Sequence, residues 1–145
     1  MRFLHNGEDI AVGGNDVLRG GAGNDTIYGD ADILFEFSAG GDDRLHGDAG
    51  DDELWGDGEL RDDAVGGKDR FFFTGNFGDD EIRDFRQGDG DQIVLQGLTQ
   101  LDVQISIVTV TATNDSTLIT TLGDDSITLV GFTGSLSIGT DIVFA

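Results

Sequence analysis

Apolar residues in the first third of the chain recur on a sparse beat. Leu18, Ile27, Leu45 and Leu54 each stand two places after an aspartate, at Asp16, Asp25, Asp43 and Asp52. Asp16 and Asp25 are nine residues apart, as are Asp43 and Asp52, and Asp25 to Asp43 is twice nine. Glycine clusters come before them: Gly13-Gly14, Gly20-Gly21-Ala22-Gly23, Gly40-Gly41 and Gly47-Asp48-Ala49-Gly50. The slot 29–37 keeps the length but carries Leu34 where aspartate should stand. Beyond residue 55 the frame slips. Gly67-Lys68-Asp69-Arg70-Phe71 and Gly78-Asp79-Asp80-Glu81-Ile82 repeat the Gly-x-Asp-x-apolar core out of phase.

Self-similarity at a fixed short period predicts a solenoid. A nine-residue unit divides into a glycine-rich turn of six and a strand of three, with one apolar side chain inward. Glycine supplies the positive φ that the turn needs, and Asn15 and Asn24 tolerate it. With alternate turns on opposite sides, two units make an eighteen-residue coil. Stacked coils then give two parallel sheets with a thin row of Leu and Ile between them, an all-β parallel β-roll. On that winding the turn 20–25 faces 38–43 and Asp25 meets Asp43. Asp16 and Asp52 both face the degenerate slot, where Asp30 or Asp32 substitutes.

Toward the C-terminus the pattern becomes strand-like. Val103, Ile105 and Ile107 alternate, as do Leu118, Thr120 and Leu122. Asn114-Asp115 and Gly123-Asp124-Asp125 read as turns, and Ile127–Leu129, Leu136–Ile138 and Ile142–Phe144 as further short strands. Residues 92–145 contain 23 Val, Ile or Thr among 54, and no Lys or Arg. The division predicted is a leader or cap over 1–10, a roll over 11–91 and a short-stranded C-terminal β cap over 92–145. Phe71, Phe72, Phe73, Phe77 and Phe85 are expected to pack the core where the roll ends, with His46 and Trp55 on the surface.

Composition narrows the chemistry. The 145 residues hold 29 acids against 8 Lys/Arg, a net charge of −21, which disfavours nucleic acid and anionic membranes as partners. There is no Cys, so disulfides, thiolate zinc sites and a cysteine nucleophile are excluded. Apolar runs fall far short of the roughly 18 residues of a membrane helix, and Met1–Ile10 lacks the apolar core of a cleaved signal peptide. Kinase, P-loop, zincin and nucleophile-elbow motifs are absent, and no catalytic role is expected. Asp42-Asp43 and Asp51-Asp52 could imitate a carboxylate dyad, but their register with the glycine turns assigns them to the turns.

GGAGNDTIY, residues 20–28, resembles the nonapeptide GGxGxDxUx of the RTX, or haemolysin-type, calcium-binding repeat. GGKDRFFF, GNFGDDEIRDFRQGDGDQIVL and the closing DSTLITTLGDDSITLVGFTGSLSIGTDIVFA are similar to the ends of such arrays in secreted bacterial proteases and lipases. The resemblance covers roughly residues 11–145 and implies a right-handed roll. It also implies a monomer, secretion from a Gram-negative bacterium, and an uncleaved C-terminal signal read by a type I export machinery. Asp141-Ile142-Val143-Phe144-Ala145, an acid followed by apolar residues, is similar to that signal.

The energetics call for a cation. One buried Leu or Ile contributes roughly 1.5–3 kcal/mol per unit, against about 1–2 kcal/mol of backbone entropy for each residue fixed. Aligned carboxylates repel as well. Calcium suits the donors: it takes about 6–8 hard oxygens in flexible geometry, whereas magnesium is stricter and zinc lacks its ligands. The expected carboxylates are Asp16, Asp25, Asp43 and Asp52, with Asp69 and Asp80 at later sites. The resemblance implies that turn carbonyls join them; the candidates are Gly20, Ala22, Asn24, Gly40, Asp42, Gly47, Ala49 and Asp51. About three to five ions are expected from the turn count. The alternatives are a polysaccharide-binding module like those on alginate epimerases or lyases, with Trp55 or the arginines as contacts, and the end piece of an adhesin or a secreted hydrolase.

Overall fold

The structure is a computed structural model that describes residues 12–35, 37–111, 114–121 and 123–145. The segment read as a leader, 1–10, and Leu122 lie outside the described residues. The strands are β1 (Val17–Ala22), β2 (Thr26–Tyr28), β3 (Ile33–Leu34), β4 (Arg44–Ala49), β5 (Glu53–Trp55), β6 (Glu59–Leu60), β7 (Arg70–Thr74), β8 (Asp79–Ile82), β9 (Gln92–Gln96), β10 (Val103–Thr111), β11 (Asn114–Thr121), β12 (Ser126–Leu129) and β13 (Ile142–Phe144). The architecture is a parallel β-roll followed by C-terminal strands that include the two longest, β10 and β11, in an antiparallel pair, so the expected short-stranded cap is only partly short-stranded.

The winding differs from the eighteen-residue coil. β1 pairs with β4 at Leu18↔Leu45, β2 with β5 at Ile27↔Leu54 and β3 with β6 at Leu34↔Leu60, all parallel. Each of the first two coils therefore takes three strands, and the first full turn spans 27 residues. The slot 29–37 accounts for the difference. Its Ile33 and Leu34 form β3, and Leu34 is buried, so the copy that lost its aspartate kept its apolar residue and became a third face. Eighteen and 27 are both multiples of nine, so the repeat period alone does not choose between them.

Three inward rows follow. On the first sheet Leu18, Leu45, Phe71, Ile93 and Ile142 stack in register; on the second Ile27, Leu54, Ile82 and Leu129; on the third Leu34 and Leu60. Leu45, Leu54, Phe71, Ile82, Ile93, Leu129 and Ile142 are fully buried. The composition change at residue 91 is no break in the sheets. β9 and β13 extend the first sheet in the order β1-β4-β7-β9-β13, and β12 extends the second beyond β8.

Phe71, Phe73, Phe77 and Phe85 join this core. Phe72 does not, because neighbours along a strand face opposite ways; it stacks on His46 of β4 at 4.6 Å. In β11 it is Ile119 that faces inward, opposite Ile127, while Leu118 is only half-buried. The alternation of Leu118 and Thr120 read from sequence is thus off by one position: β11 lies between β10 and β12, and its register with Ile127 selects the buried side. Residues 136–138 form only an isolated bridge, Ile138 to Ile142.

Candidate metal centre

Side chains two apart on a strand share a face. The aspartate two places before each inward Leu, Ile or Phe is therefore carried inward as well, at the corner where the chain enters the strand. Asp43, Asp52, Asp69, Asp80 and Asp91 are all buried.

They form two inner ladders. At the first corner the Asp16 N–H donates to Asp43 Oδ1 (2.7 Å), that of Asp43 to Asp69 Oδ1 (2.9 Å), and that of Asp69 to Asp91 Oδ1 (3.0 Å). At the second, Asp25 donates to Asp52 Oδ1 and Asp52 to Asp80 Oδ1, both at 2.8 Å. Asp25 thus meets Asp52 rather than Asp43, so Asp52 is paired with Asp25 and not with the 29–37 slot. Asp16 does border that slot, lining a cavity with Gly29, Asp30, Ala31 and Leu34. The aspartates that looked out of phase, Asp69 and Asp80, are in line: the first sheet's spacing shortens to 26 residues between β4 and β7, and the loops absorb the slip.

Each ladder uses one carboxylate oxygen. The second oxygens of Asp25, Asp43, Asp52, Asp69 and Asp80 are buried with no hydrogen-bond partner. Burial pushes Asp69 up to about 9 and Asp43, Asp80 and Asp91 to about 7; the N–H groups they accept oppose this, and neighbouring carboxylates add to it. Burial also raises Asp52. A buried anion without a partner is costly, and here it repeats down two columns. Glycine keeps the space beside each oxygen open. A Cβ on Gly47 would strike Asp52 Oδ2, and one on Gly29 would land on Asp43 Oδ2 and the Gly56 carbonyl.

The other sequence-predicted ligands fall into place around these columns. Gly20 and Gly47 lie in β1 and β4 rather than in turns, each against an unpartnered oxygen, of Asp25 and Asp52 respectively. Ala22 and Ala49 end the same strands, and the Ala49 carbonyl accepts the Gly23 N–H (2.9 Å). The side chains of Asn24, Asp42 and Asp51 form outer, exposed ladders: Asp51 N–H to Asn24 Oδ1, Asp42 N–H to Asn15 Oδ1, and Lys68 N–H to Asp42 Oδ1. Gly40 sits elsewhere, between Asp30 and Asp57.

That position belongs to a third column, Asp30, Asp57 and Asp84, each 27 residues from the next; of these the sequence pointed only to Asp30, as the substitute in the 29–37 slot. The spacing was there to be found. Asp84 accepts N–H groups from Gly56, Asp57 and Gly58 at 2.9–3.0 Å, and Asp57 accepts one from Gly67 (2.6 Å) and one from Arg86 Nη1 (3.2 Å). No buried oxygen of this column is without a partner among the described residues.

The donor set fits calcium: hard anionic oxygens and carbonyls, with no nitrogen or sulfur ligand in the columns. Among the described residues no three acidic or imidazole side chains converge on one point. Ions held by Asp25 with Asp52, Asp52 with Asp80, or Asp43 with Asp69 would therefore complete their shells with backbone carbonyls. A bound ion would supply the missing positive partner for the second carboxylate oxygens. The family profile described as the RTX calcium-binding nonapeptide repeat matches residues 10–33 and 37–59, in four copies. No curated protein matches the chain. The matched segments carry β1, β2, β4 and β5 and the upper rungs of both orphaned ladders, and they are calcium-binding repeats of the RTX, haemolysin-type family.

Proposed function

We propose that the chain is a calcium-responsive folding module, exported unfolded and condensed outside the cell, where three to five ions enter the corners. The observation that carries this reading is the set of five buried, unpartnered carboxylate oxygens. Without a cation the roll holds anions in a dry interior; with one, binding free energy becomes folding free energy. Cytosolic calcium is too scarce to fill sites of about 10⁻⁴–10⁻³ M, the range of extracellular modules.

The C-terminus supports the order of events. Ile142–Phe144 are paired with β9, and buried Asp141 accepts the Ser137 N–H and the Gln87 amide, both at 2.7 Å. A signal in these residues is legible to a type I exporter only before the roll forms. The module is non-catalytic and monomeric in this reading. Asp42-Asp43 and Asp51-Asp52 divide between outer and inner ladders instead of facing each other as dyads. Circular dichroism in chelator and in millimolar calcium tests the proposal: strand signal should appear with calcium, and equal signal in both overturns it.

One observation favours a second role, binding of an acidic polysaccharide. Arg44 and Arg70 lie side by side in register on the outer face of the first sheet, and with Lys68 they line one side of a groove of about 340 Å³ whose other walls carry Asp16, Asp42 and Asp43. Among the described residues none of the three has a carboxylate within ion-pair distance, in a chain of net charge −21. Trp55 offers no stacking platform, since Tyr28 stacks on it from β2 and the Arg83 guanidinium lies over it from the β8 side. Retardation of the calcium-loaded protein by a polyuronate gel, lost in R44Q/R70Q, supports this role; equal retardation of both proteins refutes it.

A further inference from the structure

The three acidic columns are not equivalent. The first and second leave five carboxylate oxygens buried and unpartnered; the third leaves none. Its buried residues are as acidic as those of the other two: Asp57 and Asp84 are 0% and 8% exposed. What differs is a cation of the chain's own. Arg86 reaches the column with Nη1 3.2 Å from Asp57 Oδ2 and 3.8 Å from Asp84 Oδ2. Its backbone is held in place, the N–H donating to Asp91 Oδ2 at 2.7 Å, where the first inner ladder ends. Asp84 also accepts three backbone N–H groups of the coil before.

We propose that Arg86 is the resident cation of the third corner, a guanidinium that stands in for calcium, so that metal enters only the first and second corners. A guanidinium offers donors in a planar fork, keeps its charge at any physiological pH, and resists replacement by a metal because it is covalently present at every calcium concentration. The Asp57–Asp84 pair then has a positive partner before any ion arrives. The two metal corners lie where the nonapeptide pattern is strongest, while the third follows the degenerate slot 29–37. Arg86 serves this column from the coil that carries Asp84, reaching back one coil to Asp57.

This inference rests on calcium filling the other two corners, and one experiment separates the two claims. Ions bound to the full chain are counted by native mass spectrometry in saturating calcium, for wild type, R86Q, R86K and D57N. With Arg86 as the cation, R86Q holds one more ion than wild type, R86K holds the wild-type number, and D57N loses none. An unchanged count in R86Q, or a wild-type count that falls by one in D57N, overturns the assignment of Arg86 while leaving calcium at the other corners intact. A wild type that holds no calcium overturns both. If R86Q does not fold in calcium, the double variant D57N/R86Q decides. Recovery of the strand signal shows that charge balance was the fault, and continued failure shows that Arg86 acts through packing and sinks the proposal.

Discussion

Replacing Asp69 by asparagine should have opposite effects with and without calcium. The amide keeps Oδ1 for the Asp43 N–H and removes the charge from the unpartnered oxygen. Asp69 is fully buried, and its folded-state value of about 9 lies above neutrality. At pH 7 the ion-free fold must therefore take up a proton that the unfolded carboxyl, near 3.9, does not hold, which costs about 4 kcal/mol. The new NH₂ has no obvious acceptor, and an unsatisfied buried donor costs about 1–3 kcal/mol. D69N should thus stabilise the chelated protein by about 1–3 kcal/mol, visible as more strand signal in EGTA, while lowering the stability gained on saturation with calcium. Urea titrations in EGTA and in 5–10 mM calcium, read by Trp55 fluorescence and circular dichroism, measure both. If D69N weakens the fold equally in the two buffers, the carboxylate is a structural hydrogen-bond acceptor and the ion argument fails.

Three further outcomes follow from the same geometry. The sign of the pH effect is fixed by Asp43, Asp69, Asp80 and Asp91, all raised on folding: the ion-free roll binds more protons than the unfolded chain, so its stability is greatest near pH 4 and falls as pH rises toward 9. Calcium affinity should run the other way, with protons released on binding; unfolding in EGTA across pH 4–9 and isothermal titration in buffers of different ionisation enthalpy check this. Gly29→Ala places a methyl on Asp43 Oδ2 and the Gly56 carbonyl, and should raise the calcium midpoint of folding, whereas Gly21→Ala, in open space but at φ +104°, should cost only backbone strain of about 1–2 kcal/mol. Leu54→Ala empties the centre of the second row and should cost about 2–5 kcal/mol in calcium-saturated denaturation.

The elements most legible in the sequence were those set by a local rule. Asp-x-apolar puts both side chains on one face, and that spacing alone located Asp43, Asp52, Asp69 and Asp80 beside Leu45, Leu54, Phe71 and Ile82. Coil length was not local. It depended on whether Ile33-Leu34, with no aspartate to mark the corner, would still make a strand, and burial of Leu34 decided that. The third column was hidden for the same reason: Asp30, Asp57 and Asp84 do not precede an apolar residue by two in the nonapeptide manner, and only a search at 27-residue spacing aligns them. Leu118 and Thr120 drew the eye rather than Ile119 because β11 has neighbours on both sides, and its run offers two alternations of similar hydrophobicity.

The inner and outer ladders run in opposite senses. Buried amides, such as those of Asp43 and Asp52, rely on the carboxylate of the coil that follows, whereas exposed amides, such as those of Asp42 and Asp51, rely on the coil that precedes and can turn to water instead. Erosion of the molecule should consequently be lopsided. A protease nibbling from the N-terminal side strips away coils whose successors lose strand-to-strand bonds, such as Arg44 N–H to the Asp16 carbonyl, but whose corner amides lose only solvent-replaceable side-chain partners. A cut on the C-terminal side leaves dry N–H groups stranded and should topple the stack back to its first rung.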